Sequence, residues 1–185
     1  MLIVLAVVAA VVAWGVFTYN RLVTLKNQVA SGWKQIDVQL RRRHDLIPNL
    51  VSTVRGYMEF ERDTLERVIA ARNQAAGATT VQQSNAAEAD LSRALRQLFA
   101  VAENYPQLRA NENVLHLQEE LTTTENQLGF ARQYYNDVVQ RFNTQQDVFP
   151  ANLIASQFGF QHAEFFAADE ADRAVPPVDL SLPPR

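Results

Sequence analysis

Several groups of residues in this chain have types and spacings that could carry chemistry or contacts. The three histidines, His44, His116 and His162, are far apart, and none belongs to an H-x-x-E-H or H-E-x-x-H pattern that sets two metal ligands on one helical face. No metal site is expected. Glu119 and Glu120 are adjacent acids, but neighbouring helical positions point about 100° apart, so the two cannot bracket one substrate. The serines lack the strand–turn–helix elbow that exposes a nucleophile, and the six glycines form no phosphate-cradling loop. With no cysteine, disulfides and thiol catalysis are excluded. The residues thus predict no catalytic centre and no cofactor.

The remaining candidates concern interaction. The run Arg41-Arg42-Arg43-His44-Asp45 suits a docking surface. It equally suits structure, either as buried pairs across helices or as pairs from Arg41 and Arg42 to Asp45 worth a few tenths of a kcal/mol each. Lipid contact is excluded there if the helix is continuous, because the run stands about 30 Å beyond Arg21, several screening lengths from the bilayer. Asn136 and Asn143 each follow an aromatic and lie seven residues apart, so they recur on one stripe; they either fix register at a packed seam or flank it in water. Five of the ten phenylalanines, Phe149, Phe158, Phe160, Phe165 and Phe166, crowd one segment. That segment must be covered, by the bundle end or by a neighbouring molecule.

The elements that must position these groups follow from charge and periodicity. A chain of 185 residues with 48% hydrophobic content is the size of one domain. Its net charge of −3 gives no basic face of the size nucleic acid requires. The distribution is uneven: residues 1–60 hold seven basic groups against three acids, and the rest is acidic. The first nineteen residues carry no charged side chain, and as a helix they would span about 28 Å, close to the hydrocarbon thickness of a bilayer. Trp14, Phe17 and Tyr19 end the segment, and Arg21 and Lys26 follow, the order of a headgroup boundary. A single membrane span over residues 1–20, contacting lipid, is therefore expected. The basic flank predicts a cytoplasmic soluble domain with the N-terminus outside; an extracytoplasmic domain stays open as the alternative.

Leu22, Leu25, Val29, Trp33, Ile36 and Leu40 continue at helical spacing with no breaker, so the span should run on as one rod. Trp33 and Asp37 should lie on or beside its packed face. The seam resumes from Ile47 to Ile69, with Pro48 expected to kink or break it. Residues 73–90 are small and polar and read as a loop ending in a capping box at Asn85-x-x-Glu88. Helices are expected from Leu91 to Tyr105 and from Asn111-Glu112 to about Gln146. Nothing reads as a strand. The fold class is all-α, a transmembrane helix continuing into an antiparallel bundle over 21–167, followed by an acidic, Pro-rich disordered tail over 168–185.

Several strings together resemble the LemA family: Trp33-x-x-Ile36-Asp37-Val38-Gln39-Leu40-x-Arg42-Arg43-x-Asp45-Leu46-Ile47-Pro48-Asn49-Leu50-Val51, Leu108-x-Ala110-Asn111-Glu112-Asn113, Thr124-Glu125-Asn126, Ala131-Arg132-x-x-Tyr135-Asn136 and Phe149-Pro150-x-Asn152-Leu153-Ile154-Ala155. The resemblance covers nearly the whole chain. It implies a single-pass bacterial cell-membrane protein with a mostly helical soluble domain and no established enzymatic activity or cofactor. A membrane-anchored scaffold that self-assembles or docks a protein partner is the expectation, with an accessory or signalling subunit of a membrane protease or transporter as the alternative. The interaction candidates are Trp33, Asp37, Arg42, Arg43, Asp45, Pro48, Asn49, Asn136, Phe149, Pro150, Asn152, Phe165 and Phe166.

Overall fold

The computed structural model describes residues 1–58 and 61–166; the expected tail lies outside them. The described residues form six helices: α1 Leu2–Arg55, α2 Arg62–Ala76, α3 Val81–Ala102, α4 Pro106–Arg109, α5 Glu112–Asp147 and α6 Ala151–Gln157. No strand occurs among them. The long rod is one helix of 54 residues, about 80 Å from end to end. Its apolar first third stands almost bare, with 6% of the most apolar window buried, and is a candidate membrane span.

The rest of α1 carries the bundle in three successive packing clusters. Nearest the span, Leu22 meets Phe142 of α5 and Ala155 of α6. Above them Ile36 and Leu40 pack on Leu128, Ala131, Tyr135 and Val139 of α5, so α5 runs antiparallel along α1. At the far end Leu46, Ile47, Leu50 and Val54 join Leu65 and Val68 of α2, Leu91, Leu95 and Leu98 of α3, and Leu108 of α4. The α2–α3 hairpin therefore caps the distal half only. Gly32 sits at a close approach of α1 to α5: a Cβ there would lie 3.4 Å from the Tyr135 backbone. A residue that looks like a weak point in the helix is thus where the two backbones come together.

Three expectations are corrected. Pro48 neither breaks nor ends α1, which continues to Arg55. The helix stops instead at Gly56, where a residue of poor helix propensity meets the turn plugged by the fully buried Met58. The polar stretch 73–90 is not a loop: α2 extends to Ala76 and α3 begins at Val81. The operative N-cap is Thr80, whose hydroxyl accepts from the Gln83 amide at 3.2 Å while Gln83 Oε1 accepts from the Thr79 amide at 3.1 Å, a Thr-x-x-Gln arrangement closely related to the capping box. Asn85 and Glu88 lie inside the helix. The third correction concerns the helix expected to run to Tyr105: α3 ends at Ala102, and Pro106 opens the one-turn α4, the N1 position that proline tolerates.

Candidate functional site

The basic run faces two ways because five consecutive helical residues cover the whole circumference. Arg41, Arg42 and Asp45 are exposed, whereas Arg43 and His44 are buried. The pairs expected between Arg41 or Arg42 and Asp45 do not form. Arg41 turns back one turn to Asp37 at 2.8 Å, Arg42 reaches across to Glu120 at 3.8 Å, and Asp45 lies 3.9 Å from Arg72 of α2. For Arg42 and Asp45 the partner comes from another helix, and for Arg41 from the preceding turn of α1.

Arg43 and His44 converge on one buried acid, Glu88 of α3. Arg43 Nη1 donates to Glu88 Oε2 at 2.9 Å, and its Nη2 donates to Ser92 Oγ at 2.9 Å and lies 3.3 Å from Glu125 of α5. His44 Nε2 lies 2.6 Å from the other carboxylate oxygen of Glu88. Both Glu88 oxygens are engaged and the residue is 2% exposed. The cluster ties α1, α3 and α5 together at the height where the distal core begins.

Beside the cluster an open groove of about 900 Å³ runs between α3 and α5, with Arg43 and Ser92 at its floor and Arg96, Phe99, Phe130 and Arg132 along its walls. Round the edge of α5 the apolar surface continues: Phe130, Tyr134 and Val38 stand exposed around a second shallow groove. Among the described residues no three His, Asp or Glu side chains gather in a metal-binding group.

The two asparagines neither sit in the seam nor face only water. They hold an extended segment along α5. Asn143 donates to the Ala163 carbonyl and accepts from its amide, both at 2.9 Å; Asn136 does the same to Phe166 at 2.8 and 2.9 Å. Seven helical residues rise about 10.5 Å, and three extended residues cover about 10 Å, so a heptad of Asn matches this strap in register. Tyr135 adds a hydrogen bond from its hydroxyl to the Glu164 carbonyl at 2.8 Å. Burial, reinforced by the Glu164 carboxylate, raises the Tyr135 phenol above 10.0.

The strap delivers Phe166 into the middle cluster. Its ring lies 6.1 Å from that of Trp33, with the Arg132 guanidinium 4.8 Å above it, and Trp33 also meets Tyr135 at 5.9 Å. Phe160 packs on Phe142 at 6.3 Å. Phe149, Phe158 and Phe165 remain exposed. The Phe-rich segment is thus covered in part by its own bundle, and beside the span rather than at the distal end. Pro150 precedes α6 and Asn152 lies within it; Asn49 is exposed on α1, its carbonyl accepting from Ser52 and Thr53. The sequence candidates therefore fall into three groups at different heights, Arg42 to Asn49, Trp33 with Asn136 and Phe166, and Phe149 to Asn152. They do not form one site.

These features define a class: among the described residues, a helical rod-and-bundle protein with one candidate membrane span, whose buried polar side chains hold helices and a strap. The chain belongs to the LemA family, whose profile matches residues 32–180. It is 24% identical over 185 residues to the magnetosome proteins MamQ 1 and MamQ 2 of Paramagnetospirillum magneticum, covering 86% of this chain and 68% of each relative. It is 23% identical over 158 residues to Protein LemA of Metamycoplasma hominis, covering 83% of this chain and 71% of that protein.

Proposed function

We propose that this protein is a non-catalytic, membrane-anchored scaffold whose bundle surface holds further copies of itself or a protein partner at a set distance from a bilayer. The observation that carries the reading is the continuity of α1 from Leu2 to Arg55. Because no hinge separates span from bundle, every surface on the bundle has a defined height, which is of use to an assembly and of none to a diffusing substrate. Val38, Phe130 and Tyr134, together with the groove between α3 and α5, supply apolar surface for the contact. Relatives named for the magnetosome, and not for a reaction, agree with a structural component. The basic flank at Arg21 and Lys26 favours a cytoplasmic bundle.

The test is the particle mass and shape of the full-length protein gently extracted from membranes, compared with Phe130→Ser. A homomeric particle that dissociates in the variant supports self-assembly. Co-purification of one membrane enzyme, lost instead when Arg42 and Asn49 are replaced, supports the accessory-subunit reading, for which Arg42, Asp45, Pro48 and Asn49 offer an exposed face of α1. A monomer in every case removes both.

A further inference from the structure

Fourteen consecutive residues, Val148 to Gln161, carry no charged side chain. They form a bounded unit: α6 lies in the middle, and His162 Nε2 meets Asp147 Oδ1 at 3.0 Å across its neck. The unit does not sit on the bundle alone. It packs on α1 at the level where the apolar stretch ends. Tyr19 contacts the rings of Phe158 and Phe160 at 4.8 and 5.9 Å, Ala155 shares a cluster with Leu22, and Ile154 approaches Gly15 so closely that a Cβ there would lie 3.9 Å from its Cδ1.

Because α1 is one helix through this region, position along it measures height. Gly15 precedes Arg21, the first charged side chain of the chain, by six residues, about 9 Å of rise. α6 therefore straddles the level of that first charge, with Ile154 reaching Gly15 on the apolar side and Ala155 beside Leu22. Its outward surface is apolar too: Phe149 is 80% exposed, Leu153 58% and Phe158 60%, beside the exposed Phe17 of α1. Water cannot be the medium that suits three large hydrophobic side chains next to a bare apolar helix. Lipid is already adjacent there if α1 spans the bilayer.

We infer that residues 148–160 are a second lipid contact, lying in the boundary between headgroups and acyl chains beside the span. The inference rests on the reading of α1 as a membrane span. Aromatic rings and a short uncharged helix suit that layer, and the polar neck of Asp147 and His162 closes the uncharged stretch. Two contacts fix what one leaves free. A single span allows the bundle to rotate and tilt about its anchor; the added contact from α6 seats the membrane-proximal end of the bundle on the bilayer in one orientation.

The chain has no cysteine, so single substitutions can be labelled cleanly in the full-length protein. Leu153→Cys, Phe158→Cys, Val8→Cys and Gln107→Cys, each carrying an environment-sensitive fluorophore, are reconstituted into vesicles of phosphatidylethanolamine and phosphatidylglycerol. Each is challenged with acyl-chain spin-labelled lipid and separately with iodide. All four positions are exposed, so labelling leaves the packing clusters intact. The expected result is that Leu153 and Phe158 follow Val8, quenched several-fold more by the lipid label than by iodide, while Gln107 shows the reverse. If Val8 is quenched by lipid but Leu153 and Phe158 behave like Gln107, the inference is overturned and the span stands. Shielding of Leu153 and Phe158 from both quenchers overturns it in favour of cover by protein. If Val8 itself is open to iodide, the span and this inference fall together.

Discussion

Arg72 of α2 donates through Nε to the backbone carbonyl of His44 at 3.1 Å, and this is the carbonyl that Pro48, four residues on, leaves without its helical donor. A proline inside a helix forfeits one i→i−4 hydrogen bond. The bundle supplies that bond from a neighbouring side chain, so α1 continues through the position where the sequence pointed to a kink or a break. The partner is 28 residues ahead in the chain, which no local rule could have identified.

Removing the donor should therefore matter only while the proline is present. Arg72→Met leaves the part-buried carbonyl unpaired, and unfolding in urea should show a loss of about 1 kcal/mol or more. In a Pro48→Ala background the amide of residue 48 takes the carbonyl, and the same substitution should cost little. The double-mutant cycle should return a coupling of about 1 kcal/mol or more. Equal losses in both backgrounds would show that Arg72 acts elsewhere, for instance on Asp45.

The Glu88 cluster predicts an asymmetry between breaking a buried pair and replacing it. Glu88→Ala leaves the buried Arg43 guanidinium with only Ser92 and the exposed Glu125 as partners, and breaking a buried pair costs up to about 3–5 kcal/mol. Arg43→Met combined with Glu88→Leu removes both charges and should regain most of that loss, because apolar groups of similar volume tolerate the site. Denaturant midpoints of the two variants decide the matter. A double variant no more stable than Glu88→Ala would show that Ser92, Glu125 and His44 depend on the pair itself.

How far the sequence carried this fold depended on how much of each element is determined locally. The continuity of α1 from the span through Leu40, the start of α5 at Asn111 and the antiparallel bundle follow from apolar spacing and an N-cap, and all three appear in the structure. The start of α3 was hidden because its buried stripe begins with Ser84, Ala87 and Glu88, small and charged residues that do not register as apolar. The same stripe continued through Leu91, Ser92, Leu95 and Leu98 at unbroken helical spacing, and Thr80-x-x-Gln83 was available as a cap. Extending the period backwards through polar residues was the missed signal, and with it Glu88. The role of the two asparagines was illegible for another reason: their partners are backbone groups of a strap, and backbone groups leave no mark on residue type.

That strap should loosen without melting the bundle. Asn143→Ala removes two hydrogen bonds to Ala163, and Asn136→Ala removes two to Phe166; each pair is worth about 1–3 kcal/mol. Amide hydrogen exchange should quicken over residues 160–166 in either variant, with protection in α2 and α3 unchanged. Phe166→Ser should act similarly by emptying the place beside Trp33 and Arg132, whereas Phe165→Ser, at an exposed position, should leave exchange as it is. Uniform loss of protection through the bundle would mean that the strap is part of one cooperative core.

Tyr135 gives the strap a pH dependence whose sign is fixed. Its phenol is raised above 10.0, chiefly by burial and further by Glu164, so the folded protein holds the proton more tightly than the unfolded chain does. Stability falls with pH wherever the native state binds more protons. The contribution is therefore fully present below pH about 10 and is lost as the pH rises through the folded-state value. Thermal melts from neutral pH upward should show the wild type losing stability in this alkaline range through Tyr135. Tyr135→Phe lacks the Glu164 hydrogen bond and should start about 1 kcal/mol lower at neutral pH. It should then fall less steeply, so that the two curves converge. Parallel curves across that range would mean that Tyr135 ionises equally easily in the folded and unfolded chains.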